Sequence, residues 1–403
     1  MSALPEQFPS ETTGTMFPWT TDVNQSISSV SENCIILGMN VTIPWNNPRN
    51  LVSREVEYLI DRIKSAIFLP ILFLVGAPAN VCNMIVFFKQ DLKKRMNMCL
   101  FFLSMVDLIF VTFAFVLYVE RLYTPFIGGE KYGPAYRYLM KNNIIGFYGF
   151  GHATALLLAI ISTERCVCVL FPLRAQRCIP TKVLAVVIVV SVSVLVSLRF
   201  VISAQYQVTC FYEMRTERQS LQVYGTEYHF RNEALLRALN GIFFGFCINV
   251  GCPVVVIINT TIIAIRLRQT VKWRSQTSSG ISSTKEIAIT KTLIALSIEF
   301  VVLYIPGVVL RVSPMFHPQL SAGGLYANIF KILVHFSELC AYINSSVNFF
   351  VYYVTSTSYR ETLHGLIGWN IPFQKIGQTT AVSVVTAANT QVDLSELKSI
   401  EQA

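Results

Sequence analysis

The chain has 403 residues, of which 53% are hydrophobic and only 14% are charged. Soluble domains carry roughly 25% charged residues, so this composition excludes a typical water-soluble protein and indicates lipid as the surrounding medium. The net charge of +9 does not indicate nucleic-acid binding, because the Lys and Arg residues lie in short runs between apolar blocks rather than along one helix face.

A polar arm, residues 1–65, precedes the first apolar block and is rich in Ser, Thr, Asn and Pro, which predicts an extracellular, disordered segment. Its sequons at Asn24 and Asn40 predict glycosylation if the arm lies outside the cell. No signal-peptide pattern occurs in it, so we expect the first membrane helix to direct insertion. Cys34 and Cys210 both lie in polar stretches assigned to the outside, where an oxidising compartment allows a disulfide.

Seven apolar blocks follow the arm. A bilayer core of roughly 30 Å needs about 20 apolar residues per helix, and each block is that long and is bounded by charges or turn residues. We therefore predict an all-α membrane protein whose seven-transmembrane helix bundle spans residues 66–354. The blocks are Ala66–Phe88, Met98–Val119, Leu139–Leu170, Val183–Ala204, Leu239–Leu267, Ile287–Val312 and Asn328–Val354.

The connections between the blocks predict the orientation. Three of them, after the first, third and fifth blocks, carry runs of Lys and Arg that face the cytoplasm under the positive-inside rule. With the sequons, they predict a multi-pass plasma-membrane protein whose N-terminus lies outside. Residues 355–370 predict a short amphipathic helix on the inner membrane surface, and residues 371–403 a disordered cytoplasmic tail.

Seven helices also fit some transporters and light-driven pumps, so the family must be argued from residues within the blocks. The third block ends in Glu164-Arg165-Cys166, which resembles the Glu/Asp-Arg-Tyr motif of rhodopsin-like receptors. The second block has Asp107 in a run similar to that family's Leu-Ala-x-x-Asp-Leu motif. The first supplies the family's asparagine as Asn80.

The sixth and seventh blocks extend the resemblance. Phe300, Tyr304 and Pro306 are similar to the Phe-x-x-x-Trp-x-Pro motif, and Asn348 and Tyr352 to Asn-Pro-x-x-Tyr. Over residues 66–367 the chain therefore resembles rhodopsin-like (class A) G-protein-coupled receptors. Within that superfamily, its seventh block is similar to invertebrate neuropeptide and chemosensory receptors.

The resemblance implies a ligand-driven switch that activates a heterotrimeric G protein. Arg165 is expected to pair with Glu164 and Glu286, and ligand binding to swing the sixth helix outward about Pro306. The alternative is that the two charges only reach toward the membrane surface. The switch and coupling residues implied are Glu164, Arg165, Glu286, Phe300, Pro306, Asn348 and Tyr352.

The resemblance also implies a polar cavity that holds an allosteric sodium ion and no other cofactor or metal. An acid within a membrane helix needs a partner or water, and the cavity residues implied are Asp107, Thr154, Asn344 and Asn348. The alternative is a packing network of hydrogen bonds between the helices.

The outer half is expected to hold the ligand. Phe147 falls where amine receptors carry an aspartate and Tyr342 where opsins carry a lysine, which argues against amines and retinal. Arg311 and Glu338 are the best candidate contacts, unless they form a structural ion pair. The long second outer loop favours a peptide over a small chemosensory ligand. The predicted ligand-binding residues are Phe147, Tyr148, His152, Tyr304, Arg311, His335, Glu338 and Tyr342.

Departures from the family pattern keep alternatives open. Met140 stands where the third helix usually has a cysteine, so Cys210 needs another partner, for which Cys34 is the candidate. A secondary transporter would show internal repeats, and none is found. A membrane enzyme would show a nucleophile or metal motif, and none is found, so we expect no enzyme. A seven-helix protein that no longer couples remains an alternative, because Cys166, Tyr304 and Phe349 depart from the motifs. The expected partners are a G protein, an extracellular peptide or small molecule, and membrane lipids.

Overall fold

The computed structural model describes residues 34–37, 44–122, 133–171, 180–213, 218–276 and 284–368. The sequons at Asn24 and Asn40 and the tail 371–403 lie outside these residues.

Seven long helices form a bundle in the part of the chain that the structure describes. Six of them are long and apolar enough to cross a membrane. The seventh has 29 residues but is more polar, since Glu338 and a run of Asn and Ser residues lie along it. In chain order, the first to seventh helices are Arg54–Lys89, Arg95–Tyr118, Ile144–Leu170, Thr181–Ser203, Glu233–Thr270, Thr284–Phe316 and Ala327–Thr355. The predicted fold class is confirmed.

The first helix begins at Arg54 rather than at the predicted Ala66, so the arm is shorter than expected. Ser53 caps the helix, its Oγ accepting a hydrogen bond from the backbone N of Val56. The additional turns carry Asp61 and Lys64, which are buried. Hydropathy alone does not predict these turns, because their polar side chains pair with the seventh helix instead of facing lipid.

The third helix also differs from its predicted range, Leu139–Leu170. A short helix, Pro134–Lys141, ends before it, and Asn143 takes a left-handed conformation with φ of 57°. Asn tolerates this conformation better than most residues, so it can break the chain direction here. The third helix then starts with a 3-10 turn, Ile144–Tyr148, and continues as an α-helix from Gly149.

A three-stranded sheet follows the C-terminal end of the fourth helix and lies beside the short helix Pro134–Lys141. Strand β1 (Cys34–Leu37) runs parallel to β2 (Tyr206–Glu213), and β2 pairs antiparallel with β3 (Arg218–Gly225). The register sets Cys34 opposite Cys210, and a disulfide joins them. The predicted cysteine pairing is therefore present, and residues 34–37 of the predicted disordered arm form a strand.

The first and seventh helices approach closely. A Cβ added to Gly76 would lie 2.5 Å from Oγ of Ser346, so this contact requires glycine. Asn80 donates from Nδ2 to the Ser345 carbonyl at 2.7 Å, which ties the two helices together within the bundle. Many large apolar side chains elsewhere on the helices are exposed, as at Leu74 and Val302. Such a surface suits lipid rather than water.

A short helix, Thr357–Ile367, follows the seventh and lies within the predicted amphipathic segment 355–370. Its first turn belongs to the helix bundle, because Tyr359 is buried and donates a hydrogen bond to Oδ1 of Asn83 at 2.5 Å.

Candidate functional site

A buried polar network centres on Asp107 in the middle of the second helix. Its Oδ1 accepts hydrogen bonds from Oγ1 of Thr154 at 2.7 Å and from Oγ of Ser345 at 2.8 Å. Its Oδ2 accepts from Nδ2 of Asn348 at 2.9 Å. The carboxyl group, which is fully buried, thus links the second, third and seventh helices.

Three of the four predicted cavity residues meet in this network. Asn344 is buried on the seventh helix, but its Oδ1 accepts no hydrogen bond from the residues that the structure describes. Ser345, which was not among the predicted cavity residues, takes the place expected of Asn344 and donates to Asp107. Ser345 precedes Asn348 by three positions, so both lie on one helix face.

The C-terminal end of the third helix carries an ion pair. Nε of Arg165 lies 2.9 Å from Oε2 of Glu164. Arg95 of the second helix approaches the other oxygen of Glu164 at 3.4 Å, and the thiol of Cys168 donates to that oxygen at 3.2 Å. The predicted Glu164–Arg165 contact is present, whereas the side chain of Glu286 lies outside what the structure describes.

The other switch residues lie in the core of the bundle. Phe300 is fully buried, and its ring centroid is 4.5 Å from that of Tyr304. Tyr304 in turn donates from its hydroxyl to the Gly151 carbonyl of the third helix at 3.3 Å. Pro306 lies inside the sixth helix. Tyr352 is buried against Phe87 with ring centroids 5.1 Å apart.

Six of the eight predicted ligand residues lie in or next to two clusters in the half of the bundle away from Arg165. In the first, Glu338 pairs with Lys64, whose Nζ lies 2.6 Å from Oε2. A structural ion pair between Glu338 and Arg311 was the open alternative to ligand contact, and the structure pairs Glu338 with Lys64 instead. Lys64 also lies 3.4 Å from Asp61 and 3.0 Å from Nδ1 of His335. Nearer the helix start, Nε2 of His335 lies 3.0 Å from Oε1 of Glu57.

A chain of tyrosine hydroxyls adjoins this charged cluster. The hydroxyl of Tyr148 lies 3.0 Å from that of Tyr118 and 3.4 Å from that of Tyr342. Nζ of Lys64 lies 4.9 Å from the Tyr118 ring centroid. Phe147 packs instead into an aromatic group, with ring centroids 5.4 Å from Phe113.

The second cluster lies between the third, fourth, fifth and sixth helices. The ring of His152 meets the ring of Phe244 edge to face, with centroids 5.0 Å apart. Arg199 of the fourth helix has its Cζ 5.1 Å from the same ring. Arg311 approaches the neighbouring Gly245. His152 and Arg311 were predicted, and the structure adds Arg199 to them.

The family model described as "7 transmembrane receptor (rhodopsin family)" matches residues 80–352, about two thirds of the chain. The chain belongs to the rhodopsin family of seven-transmembrane receptors. No curated relative matches it. The match begins at Asn80 and ends at Tyr352, so every motif discussed above lies inside it.

As a rhodopsin-family receptor, the protein is a multi-pass membrane protein with a signalling role and is not an enzyme. Besides Ser345, the sequence prediction omitted Lys64 and Arg199, although each has a signal in the sequence. Lys64 follows Glu57 and Asp61 at helical spacing, which places all three on one face. Arg199 is the only charged residue inside the apolar block Val183–Ala204, and an intramembrane charge indicates a functional site by default.

Proposed function

We propose that this receptor binds an extracellular ligand, a peptide in preference to a chemosensory small molecule, and activates a heterotrimeric G protein through outward movement of the sixth helix. The closed cleft around Arg165 is the observation that carries this proposal. Arg165, Thr260 and Ser297 line a cavity of about 10 Å³ between the third, fifth and sixth helices, which is space for roughly one water molecule.

A G-protein helix is about 10 Å wide and needs a far larger opening. The sixth helix is the element that can provide it, since Pro306 interrupts its backbone hydrogen bonding and allows a bend. In the closed state Glu164 holds Arg165. A ligand that binds the open state better shifts the equilibrium toward it. The expected contribution of Glu286 belongs to this proposal.

The network around Asp107 suits the allosteric sodium ion implied by the family. Sodium prefers oxygen ligands, and the network supplies the Asp107 carboxylate with the hydroxyls of Thr154 and Ser345. The buried Oδ1 of Asn344, which accepts no hydrogen bond from the described residues, offers a further oxygen. These residues would hold the ion, with Asn348 fixing the orientation of the carboxylate.

The outer sheet supports an extracellular N-terminus in the plasma membrane. Disulfides persist in oxidising compartments, so the bond between Cys34 and Cys210 favours the outside of the cell for the arm and for β2. Glycosylation at Asn24 and Asn40 accords with that orientation. The hairpin formed by β2 and β3 offers backbone groups at a strand edge, which suits an extended peptide. The similarity to invertebrate neuropeptide receptors favours the same ligand class.

The test needs no known ligand. Wild type, Glu164→Gln and Arg165→Ala are expressed in cells, with Glu233→Gln at the outer end of the fifth helix as a control. Surface display and basal activation are measured for several G-protein subtypes. We expect Glu164→Gln to raise basal activation and Arg165→Ala to abolish it, with the control unchanged. Well-displayed receptors that are silent with every subtype would support a non-coupling protein or a transporter instead.

A further inference from the structure

Arg199 is a buried cation near the outer end of the fourth helix, with 4% of its surface exposed. Its Nη1 donates to Oδ1 of Asn240 at 3.1 Å. Its Nε is buried and has no hydrogen-bond acceptor, and no ion pair involves Arg199, within the residues that the structure describes. A buried charge without a counter-charge is costly, so this guanidinium calls for an anion.

His152 presents a second incompletely bonded group next to the ring of Phe244. Its Nδ1 lies 3.2 Å from the Tyr148 carbonyl oxygen, which can only accept, so Nδ1 carries the proton. In the neutral ring Nε2 is then an acceptor, and it is buried without a partner among the described side chains and backbone groups. His152 is fully buried. Nε2 of His152 can therefore accept a hydrogen bond from a donor on a ligand.

Arg311 brings a second positive charge to the same stretch of the fifth helix. Its Nη1 lies 4.0 Å from the position that a Cβ would take on Gly245, the residue after Phe244. The charges of Arg199 and Arg311 repel each other. Two guanidinium groups that converge on one wall match the charge of an anionic group placed between them.

The third helix leaves room for this arrangement. A Cβ added to Gly149 would lie 2.9 Å from Cα of Val196 and 3.2 Å from Cβ of Arg199. The stem of Arg199 therefore packs against the third helix at a glycine, and any larger residue there would displace this stem or the fourth-helix backbone.

We propose that these residues form a carboxylate site, made of Arg199, Arg311, His152 and Phe244, which recognises the end of the receptor's ligand. The carboxylate lies between the two guanidinium groups, an adjacent N–H of the ligand donates to Nε2 of His152, and an apolar side chain packs near Phe244. The C-terminal residue of a peptide has all three features. This inference rests on the proposed function, in that the chain binds an extracellular ligand.

A binding test with small probes examines the site directly. Full-length receptor in nanodiscs is unfolded thermally with N-acetyl-phenylalanine, its C-terminal amide, or 3-phenylpropanoate at millimolar concentration. We expect the free acid to raise the midpoint by about 2–4 °C when it is near saturation and the amide to leave it unchanged. A larger shift with N-acetyl-phenylalanine than with 3-phenylpropanoate assigns the site to a peptide C-terminus. Equal shifts assign it to a simple organic acid.

Variants show whether the carboxylate site is responsible. Arg199→Gln and Arg311→Gln should each weaken binding of the acid roughly tenfold or more. Arg237→Gln, which replaces an exposed arginine of the fifth helix, should leave the midpoint shift unchanged. Because the first two substitutions each remove one of two repelling charges, we expect both variants to fold. The inference is overturned if the acid and the amide shift wild type equally, if neither shifts it, or if Arg199→Gln keeps the full effect of the acid.

The readout is independent of G-protein coupling. Acid binding in a receptor that is silent with every G protein would retain the carboxylate site and reject the proposed signalling. Basal coupling without any acid-dependent shift would do the reverse.

Discussion

Lys64 Nζ lies 2.6 Å from Oε2 of Glu338 and joins the first helix to the seventh. Both side chains are buried, each with 3% exposed. Asp61 and His335 complete the surroundings of the lysine. Glu338, which the sequence predicted as a ligand contact, is therefore already paired within the protein.

Replacing Lys64 tests the importance of this pair. Lys64→Met leaves Glu338 and Asp61 buried without their cation, so we expect a loss of about 3–5 kcal/mol in the free energy of unfolding. The double variant Lys64→Met/Glu338→Leu should recover part of that loss, because both charges are gone. Thermal unfolding of purified receptor measures both. Lys141→Met, at an exposed lysine, is the control, and a Lys64→Met midpoint equal to the control's contradicts the prediction.

The Cys34–Cys210 disulfide joins two residues that are 176 positions apart in the sequence. In the chain-entropy account, its removal costs about 2–5 kcal/mol. We expect Cys34→Ser, Cys210→Ser and the double variant to lower the unfolding midpoint equally, since each removes the same bond. Cys247→Ser, at an exposed free cysteine, should have little effect. Additive losses in the double variant would show that the two cysteines act separately.

Sodium binding at Asp107 predicts a salt-specific stability. Wild type should unfold at a higher temperature in sodium chloride than in choline chloride at equal ionic strength. The free energy of unfolding should rise by about 1.4 kcal/mol when the sodium concentration is ten times its dissociation constant. Asp107→Asn should abolish the difference and Ser345→Ala should reduce it. Glu55→Gln, at an exposed acid of the first helix, should retain it. A sodium effect that survives in Asp107→Asn places the ion elsewhere.

His229 predicts a stability loss in acid. It lies outside the membrane helices, where its Nδ1 is 3.3 Å from Oε1 of Gln205, and burial lowers its pKa below the ordinary 6.5, with smaller effects of Glu233 and Arg237. The unfolded chain therefore binds the proton more readily, and stability falls as the pH drops below about 6.5 until the folded pKa is passed. His229→Gln should flatten the unfolding midpoint over this range, whereas His317→Gln, at an exposed histidine, should not.

The helix bundle and the motifs within it could be predicted from the sequence, because they depend on local signals. Apolar blocks predict membrane helices from their length alone, and Asp107 stands out as an acid inside one of them. The side-chain partners of the predicted ligand residues depend on tertiary contacts, which cannot be predicted from sequence patterns alone. Glu338 pairs with Lys64 and not with Arg311. Lys64 lies in the range predicted as the polar arm. The break at Asn143 was hidden because apolar residues continue on both sides of it.

The separation between the start of the second helix, next to Arg165, and the sixth helix tests the central claim most directly. Spin labels at Lys93→Cys and Ile289→Cys, both exposed positions, are introduced together with Cys247→Ser. Their distance distribution is measured with and without C-terminal peptides from each G-protein α-subunit class. We predict a longer-distance population that grows with one class of peptide and is absent in Arg165→Ala. A single short distance under every condition, in receptor shown to be folded, would contradict the account.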